Sequence, residues 1–335
     1  MLSGVKIGGR HVNYYCAYVA AGGPPGVWLG QGPAALGLGQ GVDEGAFRAL
    51  AKGMAPDGSG PLVRLQANHT MGWDFTFSAP KSVSLLMALH PDEAVRAAVR
   101  SAHDEAVEAA LGYLEDHGGR SRRGLGGRDG HVKASLVVAG FFHTTSRERD
   151  PQLHTHCLVL NVGLGSDGRW ATIDSRFLFK RRMAAGAIYR AELRQRLSAM
   201  GARWAPPDSR GLSEMVGIER ETLRHFSKRR VEIERQLESW GLSGPVASEA
   251  ATLSTRATKV EVEWAELSAE WRARAQAQGL SPEVLAALMD GSDSREELSG
   301  PERARTTEAL LGPGGLTATQ AAFRRDDVVR AWAAS

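Results

Sequence analysis

Cysteine is nearly absent from this chain of 335 residues: there are two, Cys16 and Cys157, each inside an apolar stretch. Two isolated thiols do not make a disulfide framework, so a reducing compartment, the cytosol by default, is expected. Long apolar runs are missing too. None approaches the roughly 20 residues of a membrane-spanning helix, and the opening "MLSGVKIGGRHVNYY" lacks a signal peptide's apolar core. A soluble, intracellular (cytoplasmic) protein with no membrane insertion is expected. Neither sign of charge is in large surplus, since 41 Lys and Arg against 38 Asp and Glu leave a net charge of +3. Contact with a polyanion must then rest on local basic patches, not on a global field. There is no G-x-x-x-x-G-K-[ST] phosphate loop, so ATP hydrolysis is not expected. Tyrosine is scarce, five in all, yet Tyr14, Tyr15 and Tyr18 fall within five residues.

What is present reads as an α+β core followed by a helical appendage. Residues 1–70 are irregular and rich in glycine. Residues 73–77 alternate like a strand, and Ser78 with Pro80 then form a helix start. An amphipathic helix is expected at about 91–115, followed by the basic, glycine-rich loop "GGRSRRGLGGRDG". "VKASLVVAGFFH" and "HTHCLVLNVGL" read as buried strands joined by the polar "TTSRERDPQL", with Asp167-Gly168 as a later turn signal. Residues 176–200 read as a helix that starts with Lys180, Arg181 and Arg182. From about 212 the pattern is almost wholly helical and strongly charged. The expected division is a core at 1–205, a helical appendage at 206–300 and, at 301–335, a Gly/Pro linker leading into the start of a further segment that ends on a helix.

Only ten histidines occur, and two of them open a buried strand as His154-Thr-His156. Residues i and i+2 of a strand share a face, so both imidazoles point the same way. His143 ends the preceding strand, and ten intervening residues suit a hairpin-like connection. Antiparallel pairing then sets His143 about 5 Å from His154 across the ladder. Three imidazoles converge on one point, as a divalent cation requires, with open positions for water or substrate oxygens. Such an ion keeps its full double charge and suits a phosphodiester oxygen. The tyrosine cluster offers a nucleophile: a phenol, with a normal pKa of about 10, attacks phosphorus when a cation and a base lie near.

The N-terminal "YY", "DFTFSAPKSVS" and the spacing H-x10-"HTHCLVLN" together resemble the relaxase domain of MobF-type conjugative relaxases, members of the HUH endonucleases. "AHDEAVEAALGYLE", "TTSRERDPQLHTH", "DGRWATIDSR" and "AGAIYRAELRQRL" extend the resemblance to about residues 1–300. It implies an antiparallel-sheet core with flanking helices. It also implies a metal-dependent strand transferase that nicks single-stranded or hairpin DNA at an origin of transfer and stays linked to the 5′ phosphate. By the resemblance His143, His154 and His156 hold the metal (Mg or Mn, with Zn or Ni as alternatives), and Tyr14 is the nucleophile with Tyr15 as its neighbour. Asp74 accepts the tyrosine proton or orients a ligand histidine, and Arg147 contacts DNA. Other relaxosome proteins are implied partners.

Ser78 and Lys81 begin a helix whose first N–H groups suit a phosphate. The basic stretches Arg120–Arg128, with Arg122 and Arg123, and Lys180–Arg182, with Lys180 and Arg181, suit a DNA backbone groove, as does Lys228–Arg230. Trp28, Trp73 and Trp170 are candidate stacking planes, and the appendage is read as a DNA clamp. Two features depart from the family pattern. The second tyrosine pair is replaced by "VAAGGPPGVW", which favours single-tyrosine chemistry. The helicase that usually follows is not in the sequence, so an excised relaxase domain is expected. The competing readings are a rolling-circle replication initiator, a catalytically idle DNA-binding module and a three-histidine zinc enzyme for small molecules.

Overall fold

The two apolar runs on either side of "TTSRERDPQL" become the longest strands of one sheet. A computed structural model of the chain describes residues 1–8, 12–13, 15–16, 25–65, 69–208, 211–244, 247, 250–251, 264–291, 300–312, 315–316, 318 and 322–334. Its strands are β1 (Leu2–Gly8), β2 (Val27–Leu29), β3 (Thr70–Ser78), β4 (Arg120–Arg122), β5 (His131–Thr145), β6 (Pro151–Gly165) and β7 (Trp170–Ala171). All pairings are antiparallel, in the order β1-β3-β6-β5-β2, with β4 added to β5 and β7 to β6. The principal helices are α1 (Glu44–Ala51), α2 (Lys81–Leu89), α3 (Glu93–Gly118), α4 (Ser175–Ala199), α5 (Lys228–Trp240), α6 (Trp264–Ala277) and α7 (Arg325–Ala334). No described helix is long and apolar enough to cross a membrane.

Both faces of the sheet are covered, which explains why β5 and β6 read as nearly continuous apolar runs. Along β6, Leu153, Cys157 and Val159 join a core with α2, α3 and α4, while Leu158, Leu160 and Val162 face a second core that includes Phe47 and Leu50 of α1. His154 and His156 share the second set's parity. They lie where that smaller core ends, at the turn-proximal end of β6.

Helix boundaries follow local chemistry. Asp92 caps α3 by accepting the Ala94 N–H at 2.8 Å, and Asp174 caps α4 by accepting the Arg176 N–H at 3.1 Å. The expected turn at Asp167-Gly168 is present, with Gly168 at φ 75. The expected helix start at Ser78 is not. Ser78 ends β3 opposite His154, and α2 starts at Lys81 after Pro80, which supplies no side-chain cap. The cap comes instead from far away in sequence. Glu214 accepts the Lys81 N–H at 3.2 Å, and both the N–H and the hydroxyl of Ser82 at 2.8 and 2.6 Å.

The C-terminal segment ends on a helix, as expected. Its helix α7 packs along α4, with Asp326 paired to Arg181 and accepting the Tyr113 hydroxyl at 2.7 Å.

Candidate metal centre and active site

The ligand geometry grows out of strand register. His143 of β5 lies opposite His154 of β6, and Phe141 lies opposite His156, so the three imidazoles project from one face. Their ring centroids are 5.2 Å (His143–His154), 5.3 Å (His143–His156) and 5.1 Å (His154–His156) apart. One ring nitrogen from each falls within 4.8 Å of the others, close enough for a single ion to bind all three.

The surrounding groups set which nitrogen is presented. His156 Nδ1 lies 2.7 Å from Asp74 Oδ2, and His154 Nδ1 lies 2.9 Å from the Gln152 carbonyl. Each Nδ1 therefore carries the proton toward an oxygen acceptor and leaves Nε2 with its lone pair. Burial, and then the neighbouring His156, lower the pKa of His154 to about 4, so it is neutral near pH 7. The donor set fits a divalent cation.

Asp74, 7% exposed, is the hub of the site. Its Oδ2 also accepts the Tyr15 hydroxyl at 3.1 Å, and its Oδ1 accepts the Thr76 hydroxyl at 3.0 Å. Tyr15 is buried, its phenol directed at Asp74. Tyr14 and Tyr18 lie outside the described residues.

The basic residues divide. Arg147 sits half-buried in the turn between the ligand strands, and Lys180 is exposed on α4. Arg122 and Arg123 are not arrayed as a groove: Arg122 pairs with the fully buried Asp174 at 3.3 Å, and Arg123 forms a two-pronged pair with Asp167 at 2.7 and 2.5 Å. Both staple the β4–β7 region, because a buried or turn carboxylate needs a cationic partner. Arg181 is likewise held by Asp326. Glu214 takes the first two N–H groups of α2, and Lys81 Nζ donates to the Pro151 carbonyl at 2.7 Å. Burial lowers the Lys81 pKa to about 8. The expected phosphate cradle at Ser78 and Lys81 is thus a structural joint.

Sequence reading missed a polar tie behind the site. Thr155, between the two ligands on the opposite face, shares its hydroxyl with His103 Nε2 at 2.9 Å, and His103 Nδ1 meets the Tyr189 hydroxyl at 2.8 Å. The signal was available, since His103 and Tyr189 fall in "AHDEAVEAALGYLE" and "AGAIYRAELRQRL". Burial drives the His103 pKa from its usual 6.5 down to about 3. The unfolded chain therefore binds this proton more readily. Stability contributed by neutral His103 is full above about 6.5 and is lost as pH falls toward 3, at about 1.4 kcal/mol per pH unit. Urea denaturation of metal-free protein between pH 7 and 4 is expected to show this fall, and His103→Gln to flatten it. An equal slope in both proteins would assign the acid sensitivity elsewhere.

With this geometry in view, the comparisons with known proteins are direct. The TrwC relaxase family pattern matches residues 5–278. The multifunctional conjugation protein TraI of Escherichia coli is 34% identical over 97% of this chain, which spans only 19% of that protein's length. Two solved structures of the conjugative relaxase TrwC with oriT DNA, one metal-free and one metal-bound, each superpose with a TM-score of 0.75. Each has 33% identity and covers 83% of this chain and 99% of its own. Fold and sequence agree: the chain belongs to the TrwC relaxase family.

Proposed function

We propose that this chain is a nicking-and-joining domain for conjugative DNA transfer. It attacks one phosphodiester at a transfer origin with a tyrosine and retains the 5′ end as a phosphotyrosyl adduct. One observation carries the reading: three imidazoles within reach of a single ion, with Asp74 bonded to His156 at 2.7 Å and to Tyr15, the neighbour of the proposed nucleophile, at 3.1 Å. The TrwC complexes with oriT DNA support the substrate, and the metal-bound one supports the cofactor.

Tyr14 is the nucleophile in this proposal, as the motif resemblance implies, while Tyr15 is buried and directed at Asp74. The Tyr14 oxygen bonds to phosphorus, the bond to the departing 3′ oxygen breaks, and that oxygen takes a proton to become a 3′-hydroxyl. Asp74 holds His156 in one tautomer, and in this proposal it is the carboxylate that accepts the phenol's proton. A 3′-hydroxyl attacking the adduct runs the step backwards and rejoins the strand. An ion on His143, His154 and His156 would supply positive charge to the phosphodiester. Magnesium or manganese is proposed, as hard cations that pair with phosphate oxygens.

Arg147 and Lys180 are proposed as DNA backbone contacts, with catalysis in 1–205 and clamping of hairpin or single-stranded DNA by 206–300. Other relaxosome proteins and a bacterial cytoplasmic setting belong to the same proposal.

Incubation with labelled hairpin oligonucleotides plus manganese is expected to yield a slow-migrating, protease-sensitive adduct on a denaturing gel. EDTA is expected to remove it and added manganese to restore it. Tight binding with no adduct under any metal would leave an idle binding module in place of a strand transferase.

A further inference from the structure

The turn that joins the ligand strands is held from outside by helices of the appendage. Asp150 ends that turn and is 1% exposed. Its Oδ2 accepts the Lys228 N–H at the start of α5 at 2.7 Å, and its Oδ1 accepts Arg274 Nη2 of α6 at 2.9 Å. Arg274 also donates to the His225 carbonyl at 3.1 Å and lies 4.4 Å over the ring of Phe226. Trp271, one turn earlier on α6 and fully buried, donates Nε1 to the Arg149 carbonyl at 2.7 Å. Arg149 has φ 57, the one positive value at a non-glycine residue among those described. Such a backbone persists only where its surroundings over-determine it.

The strand ladder does not set this turn by itself. His143 pairs with His154, but the next pair is Thr145 with Pro151, a register shift immediately beside two ligands. A bulge of this kind bends and twists its strand. The offset of His143 from His154 then depends on what fixes the turn. A buried Asp–Arg pair adds little net stability over apolar packing, but its charge-assisted hydrogen bonds are directional.

We infer that Asp150 is a positioning residue through which α5 and α6 set the geometry of the His143–His154–His156 cluster, so that the helices assigned to DNA clamping also tune metal affinity. The inference rests on the metal-site reading.

Calorimetric titration of the whole chain with manganese tests it, using wild type, Asp150→Asn, Arg274→Gln, Arg274→Lys and the Asp150→Asn/Arg274→Gln double variant. Affinity is expected to fall about 10-fold in Asp150→Asn and Arg274→Gln, the low end of the range for losing a group bonded to a metal ligand, because both act on the ligands only through the turn. The double variant is expected to be no weaker than the weaker single one, and Arg274→Lys to recover part of the loss. Thermal melts of the metal-free proteins run alongside. Lower melting temperatures with manganese affinity unchanged would reduce the contact to ordinary packing and overturn the inference. If Asp150→Asn does not fold, the two Arg274 variants decide by the same criterion. A wild type that binds no manganese would instead remove the metal-site reading itself.

Discussion

Tyr14→Phe is expected to abolish the covalent DNA adduct while leaving hairpin binding intact. The substitution keeps ring volume and removes one oxygen, so its effect is chemical, not structural. Loss of a nucleophile typically lowers the rate on the order of 10⁴-fold or more, which places any residual adduct below detection. Tyr15→Phe is expected to behave differently. It removes a hydrogen bond of 3.1 Å to Asp74 but not the attacking atom. A hydrogen bond to a charged group is worth about 1.5–3 kcal/mol, or about 10- to 100-fold in rate, so adduct still forms, slowly. Single-turnover gels with both variants separate the roles. Adduct persisting in Tyr14→Phe and vanishing in Tyr15→Phe would transfer the nucleophile to Tyr15.

His156→Ala is expected to have the second largest effect, because it removes two things at once. The cation site loses one of three imidazoles, and Asp74 loses its shortest contact, the 2.7 Å bond to Nδ1. Removing an outer partner of a metal ligand already weakens binding about 10- to 100-fold, so loss of a ligand should exceed about 100-fold in manganese affinity and in adduct rate. Asp74 then remains buried with Tyr15 and Thr76 as the partners described above, and an under-partnered buried group costs about 1–3 kcal/mol. The metal-free variant should therefore melt lower than wild type while retaining DNA binding. Manganese binding at wild-type strength would strike His156 from the ligand set.

The site was legible in part because strand geometry is periodic. His154 and His156 stand two apart, and the ten residues back to His143 suit a hairpin, so convergence of three rings followed without coordinates. The basic residues were harder. Arg122, Arg123 and Lys81 look alike in sequence to any solvent-facing cation, yet Asp174, Asp167 and the Pro151 carbonyl claim them. A charge declares its sign in the sequence but not its partner, since pairing requires knowing what the fold brings within about 4 Å.

By itself the sequence determined the α+β core and the approximate extents of its main helices, and it pointed to the histidine triad as candidate ligands and to the tyrosine pair as the candidate nucleophile. All of these rest on short-range periodicity, spacing or motif. The tertiary structure alone decided that Glu214 closes the helix after β3, that His103 and Tyr189 hold Thr155 from behind, and that Asp150 ties the ligand turn to Arg274. Those contacts join residues 52 to 132 positions apart. The physical reason is one of range: backbone periodicity acts over a few residues, whereas a buried polar group takes whatever partner the packed chain delivers, however distant in sequence.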